Sequence, residues 1–222
     1  MPDGELRIVR SPRRRRIAFR IAGDGVLEIL APPTLSETYL RRVAGNNQAL
    51  IDKLKKRATP RRAPVFSEGS PFMLLGTPYP LHLTGRLRIF DGAFMIPAGT
   101  EEEMTRSIIL LYKELAGGFI RRTLPIYEKL TGASPLNVRI TSANSRWGSC
   151  TAGRTISFSW KLIQCPREAV EYVIVHELCH LRELNHSADF WRHVAKIFPD
   201  YRERRSLLNR FGETLPEWNI PR

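Results

Sequence analysis

Hydrophobic and polar positions divide this chain into a front part of short strand-like runs and a back part with helical periodicity. Residues 6–10, 17–21 and 26–30 are rich in Ile, Val and Leu, and Gly23-Asp24-Gly25 supplies a turn between the last two, which predicts an antiparallel hairpin. Ala31-Pro32-Pro33 closes that segment. Ser36 then offers an oxygen cap for a helix starting at Glu37, with a pause near Gly45-Asn46-Asn47 and a continuation over 48–57 that turns Leu50, Ile51 and Leu54 to one side. Short strands return over residues 71–97, punctuated by Gly76-Thr77-Pro78 and Asp91-Gly92. The pattern predicts a β-rich lobe over 1–98, with its boundary at Pro97-Ala98-Gly99.

Beyond that boundary, residues 99–222 read as a second unit. Thr100 followed by three glutamates starts a helix well, because an oxygen cap and early acids complement its positive end. Met104, Ile108, Leu111, Tyr112 and Leu115 share a side, while Gly117-Gly118 and Pro125 leave open one bent helix or two. Residues 135–142 form a strand. Over 154–160, Ile156, Phe158 and Trp160 alternate with Thr155, Ser157 and Ser159, which predicts a strand with one buried face; at a sheet edge it could pair with an extended peptide. Pro166 suits a first helical turn, and a helix over 167–184 carries Ala169, Val170, Val173, Ile174, Leu178 and Leu181 on a broad apolar face. Helices over 189–198 and 201–209 follow.

Composition adds a sign to this outline. The chain has 222 residues, ordinary apolar content at 42%, and a net charge of +13. Residues 1–62 hold 15 Lys or Arg against 6 Asp or Glu, so most of the surplus lies there, with Arg13–Arg16 as its densest run. Such a surface attracts acidic partners, nucleic acid among them. No run approaches the roughly 18 apolar residues of a spanning helix, and no signal-like apolar segment follows the first residues. Cys150, Cys165 and Cys179 cannot all pair, which suits a reducing cytoplasm. The expectation is a cytoplasmic protein with no membrane contact and an oligomeric state the sequence leaves open.

The chemistry is concentrated in His176-Glu177-Leu178-Cys179-His180. Histidines four apart on a helix differ by about 40° around its axis, so both can reach one divalent ion. Glu177, next to the first histidine, can stand beside a metal-bound water and act as its general base without being a ligand. A catalytic zinc usually takes a third protein ligand. His186 leads, provided the helix ends or turns near Asn185, where a left-handed cap is tolerated; His193, Glu183 and Glu203 are the alternatives. Asp189 is placed to orient an imidazole, Phe190 and Trp191 to anchor the returning helix, and Cys179 to be a small buried residue on another face. His82 has no local ligand partner.

Three stretches, Arg146-Trp147-Gly148-Ser149-Cys150, residues 172–180, and Asn185-His186-Ser187 through Phe190-Trp191, together resemble the YgjP-like metallopeptidase domain, more distantly related to the SprT-like and WLM zinc proteases. The basic front part resembles that family's N-terminal portion. The resemblance implies an α+β, zincin-like catalytic domain in which the histidine helix packs on a small antiparallel sheet. It also implies His176, His180 and His186 as Zn2+ ligands, Glu177 as catalytic base, and a protein or peptide substrate. The histidine spacing is also similar to metzincins, but Glu183 stands where their turn glycine is expected and no later methionine turn follows. Two other functions compete with a zinc peptidase: a nucleic-acid-associated protease recruited through the basic lobe, and a noncatalytic metal-binding interaction module.

Overall fold

The structure is a computed structural model that describes residues 6–22, 26–58 and 63–218. The chain divides into two units, Met1–Arg62 and Ala63–Arg222.

In the first unit, strands β1 (Leu6–Arg10), β2 (Ala18–Ile21) and β3 (Leu27–Ala31) form a sheet in the order β1-β3-β2. β2 and β3 pair antiparallel as the hairpin pattern predicts, while β1 runs parallel to β3. The expected turn at 23–25 lies outside the described residues. β3 is buried along its whole length, which fits its central place. Helix α1 (Glu37–Asn46) begins where Ser36 accepts a hydrogen bond from the Tyr39 amide, and α2 (Gln48–Ala58) follows the break at Asn47. Leu40, Ala44 and Ile51 close the core over Leu27, Ile29 and Ala31. Leu50, expected beside Ile51, is exposed. Arg13–Arg16 are all exposed between β1 and β2.

The second unit begins with β4 (Pro71–Leu74), β5 (Thr77–Leu83), β6 (Arg88–Phe90) and β7 (Ala93–Ile96), ordered β4-β5-β7-β6. This sheet shares its core with residues beyond 98, where the lobe boundary was expected. Phe72, Leu81, Phe94 and Ile96 share one core with Tyr112, Trp160 and Trp218; Phe94 meets Tyr112 at 5.3 Å between ring centroids, and the Tyr112 hydroxyl donates to the Met73 carbonyl at 2.9 Å. A turn at 97–99 changes the chain's direction without ending its core.

Helix α3 (Glu101–Thr131) is one element of 31 residues, opened by a reciprocal Thr100–Glu103 capping box and closed at Gly132 in the left-handed region. Gly117, Gly118 and Pro125 do not divide it, because Ala116, Phe119, Ile120 and Leu124 on either side are all buried in the core.

The second sheet of this unit holds β8 (Asn137–Thr141), β9 (Gly148–Cys150) and β10 (Thr155–Ser159) in the order β8-β10-β9. It is mixed: β10 is parallel to β8 and antiparallel to β9. The alternating strand is therefore central rather than at an edge, with Ile156 and Phe158 buried on its inner face. A short 3-10 helix (Trp160–Gln164) leads to α4 (Arg167–Cys179), whose N-cap is Pro166. α4 packs against α3, β9, α5 (Ala188–Ile197) and α6 (Tyr201–Thr214), so it is apolar nearly all round: Ala169, Val170, Val173, Ile174, Val175 and Leu178 are buried. Arg204 fastens α6 to α4 by pairing with Glu171 at 3.7 Å and donating to the Glu168 carbonyl at 3.2 Å. No helix among the described residues is long and apolar enough to cross a membrane.

Candidate metal centre

α4 presents His176 near its C-terminal end and stops at Cys179, with His180 as its cap, earlier than the 184 expected from the apolar pattern. The chain leaves through a tight turn in which the Arg182 and Glu183 amides both donate to the Cys179 carbonyl. Asn185 does not adopt the left-handed conformation expected of it. Its side-chain oxygen accepts from the Ser187 amide at 3.0 Å, and Ser187 in turn caps α5 by accepting from the Phe190 amide at 3.2 Å. This pair of side-chain turns redirects the chain and returns His186 to the α4 histidines.

The three imidazoles converge through their Nε2 atoms. His176 Nε2 lies 3.2 Å from His180 Nε2 and 3.1 Å from His186 Nε2, and among the described residues these three form the group able to hold a metal ion. His180 Nδ1 donates to the Glu183 carbonyl at 2.9 Å, which leaves its Nε2 lone pair facing the cluster. Tyr172, one helical turn before His176, puts its hydroxyl 3.5 Å from His176 Nδ1. Burial, then the neighbouring histidines and Arg205, push the His176 pKa down to about 3, so its ring is neutral near pH 7. Burial and the same kind of neighbours lower that of His186. Neutral imidazoles are what a metal requires.

Phe190, fully buried, is the floor of this cluster: its ring is stacked on His180 at 4.4 Å and meets His176 and His186 edge-on at 4.9 and 4.8 Å. Trp191 is stacked on His186 at 5.6 Å. The aromatic pair thus supports the histidines directly, beyond anchoring α5.

Glu177 is only 5% exposed, and its Oε2 has no hydrogen-bond partner. Burial pushes its pKa up to about 7, against the opposing charge of Arg146. Its carboxylate rests on the backbone of β9. A Cβ on Gly148 would lie 2.6 Å from Glu177 Oε1 and 2.7 Å from its Cγ, so only a glycine admits this carboxylate here. The preceding Trp147 is held in the same close manner, since a Cβ on Gly212 of α6 would lie 2.5 Å from its ring.

A family model described as YgjP-like, metallopeptidase domain, matches residues 15–211. The chain belongs to the YgjP-like metallopeptidase domain family. Among solved structures, the crystal structure of the metallopeptidase zymogen of Pyrococcus abyssi abylysin is similar at 26% identity, covering 43% of this chain and 94% of that one with a TM-score of 0.39. No curated protein matches. Membership of a metallopeptidase family makes protein or peptide the substrate class and a divalent metal the cofactor class, and the histidine cluster can hold such an ion.

The remaining sequence candidates of this YgjP-like chain fall elsewhere. Glu183 turns its carbonyl, rather than its carboxylate, to His180. His193 and Glu203 are not part of the histidine cluster. Asp189 pairs with Arg192 at 2.5 Å on the exposed side of α5, so the imidazoles are oriented by Glu183 and Tyr172 instead. Cys179 is buried and its thiol is pushed up to about 11 by burial; Cys165 reaches about 12 for the same reason. His82 pairs with Glu68 in the sheet of β4 to β7. The family resemblance implies Trp147-Gly148-Ser149 as a structural approach to the active-site sheet and assigns Gly148 no direct catalytic use; a glycine directly after a tryptophan at a strand start is the signal for the close approach seen here.

Proposed function

We propose that this protein is a zinc-dependent protein or peptide hydrolase in which His176, His180 and His186 hold the ion and Glu177 is the general base. The observation that carries this reading is the pairing of three convergent imidazoles with one buried carboxylate oxygen that has no partner of its own. A tetrahedral zinc with ordinary nitrogen ligands sets them about 3.3 Å apart, close to the 3.1 and 3.2 Å seen here. Zinc, when bound, would polarise the scissile carbonyl and make water acidic enough to be deprotonated near neutral pH.

The protein's own groups do the rest. Glu177, with a proton affinity balanced near pH 7, takes a proton on Oε2 as the peptide carbon is attacked and returns it to the departing nitrogen. Gly148 keeps the carboxylate in place by leaving no room for it to swing towards β9. Tyr172, whose hydroxyl is pushed up to about 12 by burial, stays protonated beside His176 and steadies that ring. β9, which ends the β8-β10-β9 sheet, offers an extended substrate a backbone edge next to Glu177. That assignment moves the peptide-pairing role from β10, where the alternating pattern suggested it, to the shorter strand beside it.

The test is hydrolysis of a quenched-fluorescent peptide library by zinc-loaded protein. Cleavage that stops on chelation and returns with zinc is expected. A protein that carries stoichiometric zinc and cleaves none of the library contradicts the reading and favours a metal-binding interaction module.

A further inference from the structure

Beside the histidine cluster lies an open groove of about 520 Å³, lined by Trp191, Tyr201, Arg202, Arg205, Ser206 and Asn209. A run of stacked rings leads into it from the metal centre: His186 on Trp191 at 5.6 Å, then Trp191 on Tyr201 at 5.1 Å. The Arg205 guanidinium sits 5.5 Å from the centre of the Trp191 ring, and that of Arg202 sits 5.4 Å from the Tyr201 ring. Residues 202, 205, 206 and 209 follow the three- and four-residue spacing of one face of α6. That face therefore carries two cations, a hydroxyl and an amide towards one space.

Asp200 and Glu171 pair with Arg204, and Asp189 pairs with Arg192. Among the described residues no carboxylate pairs with Arg202 or Arg205. A guanidinium laid over an aromatic face keeps its edge N–H groups free, and those match the two oxygens of a carboxylate. Trp191 therefore links the two: His186 is 5.6 Å from its ring and the Arg205 guanidinium 5.5 Å from it, which puts that charge two such contacts from the metal-side imidazole.

We propose that this groove is a carboxylate subsite, in which Arg205, seconded by Arg202, binds an acidic group of the peptide next to the bond being cleaved. The proposal rests on the hydrolase reading for the place of that bond. The carboxylate has two sources: an acidic side chain, which makes the protein an endopeptidase with acidic preference, or the peptide's own C-terminus, which makes it a carboxypeptidase.

Binding of dye-labelled alanine-based peptides to zinc-loaded E177Q, followed by fluorescence anisotropy, separates these. One Glu or Gln is placed at each position in turn, and each peptide ends in either a free carboxylate or a carboxamide. A preference of about tenfold for the acid over its neutral isostere is expected. It should fall to near parity in E177Q carrying R205Q, be partly restored by R205K, and persist with R210Q, a substitution of an exposed arginine that does not line the groove. Preference for an internal Glu identifies the side chain, and preference for the free terminus identifies the C-terminal carboxylate; either supports the subsite. Equal binding of acid and neutral peptides, or a preference that survives R205Q, overturns it. Acid-selective binding in E177Q with no cleavage by the wild type would leave the subsite standing and remove the hydrolase reading alone.

Discussion

Two glutamates in this protein are equally hidden and differ in everything else. Glu28, in the first unit, is 4% exposed and accepts hydrogen bonds from Arg7 at 3.1 Å and from Arg20. Those hydrogen bonds, Arg20 first, hold its carboxyl below the usual range. Glu177, in the second unit, is 5% exposed, with one oxygen unpartnered and a pKa pushed up to about 7. A buried charge with two partners explains itself as structure. A buried acid with one oxygen unpartnered, directly after the first of three convergent histidines in the chain, is a candidate for function instead.

The sharpest way to break this contrast is E177Q. Its loss of hydrolysis should be the largest of any conservative change, about 100- to 10,000-fold, with zinc content unchanged by mass spectrometry. Full activity in E177Q would reject Glu177 as the base. G148A comes next. The added Cβ would fall 2.6 Å from Glu177 Oε1, so the carboxylate must move, and a displacement of that size is expected to cost about 100-fold in kcat/KM. Normal kinetics in G148A would show that the close approach does not position the base.

A smaller effect lies in stability without metal. Glu177 binds its proton at about pH 7 when folded and at an ordinary 4.5 when unfolded, so between those values the folded chain holds more of it and stability falls as pH rises. His176 runs the other way: folded at about 3 against 6.5, it makes stability rise with pH over that window. The two oppose each other from 4.5 to 6.5. E177Q removes only the first, so metal-free E177Q should gain on metal-free wild type as pH rises from 4.5 to 7, by on the order of 1–3 kcal/mol in denaturant melts. E28Q should do the reverse. Glu28 has a lowered folded pKa, so its contribution is present above the ordinary carboxylate value and lost as pH falls through the folded one. The variant's melting temperature should fall below wild type at neutral pH and rejoin it in acid, with hydrolysis unaltered.

Much of this contrast was legible before the fold was known. The four-residue histidine spacing, the glutamate between, and Ser36 and Thr100 as helix-starting oxygens all act locally, through one or two turns of chain. What escaped the sequence depends on contacts from far along it. The core that draws Phe72 and Phe94 to Trp160 and Trp218 crosses the turn at 97–99, and burial on all sides keeps α3 whole through Gly117 and Pro125. Glu177's cradle comes from Gly148, on a strand of three residues too short for any alternation to show. The return of His186 was anticipated, but Asn185 accomplishes it through its side chain rather than through a left-handed backbone.

The most direct test of the central claim is the zinc content of wild type and H186A by inductively coupled plasma mass spectrometry. Near one zinc per chain in the wild type and a large loss in H186A is the expected result, since His186 closes the cluster at 3.1 Å from His176. Zinc retained at full stoichiometry by H186A would contradict the three-histidine centre and send the third ligand elsewhere.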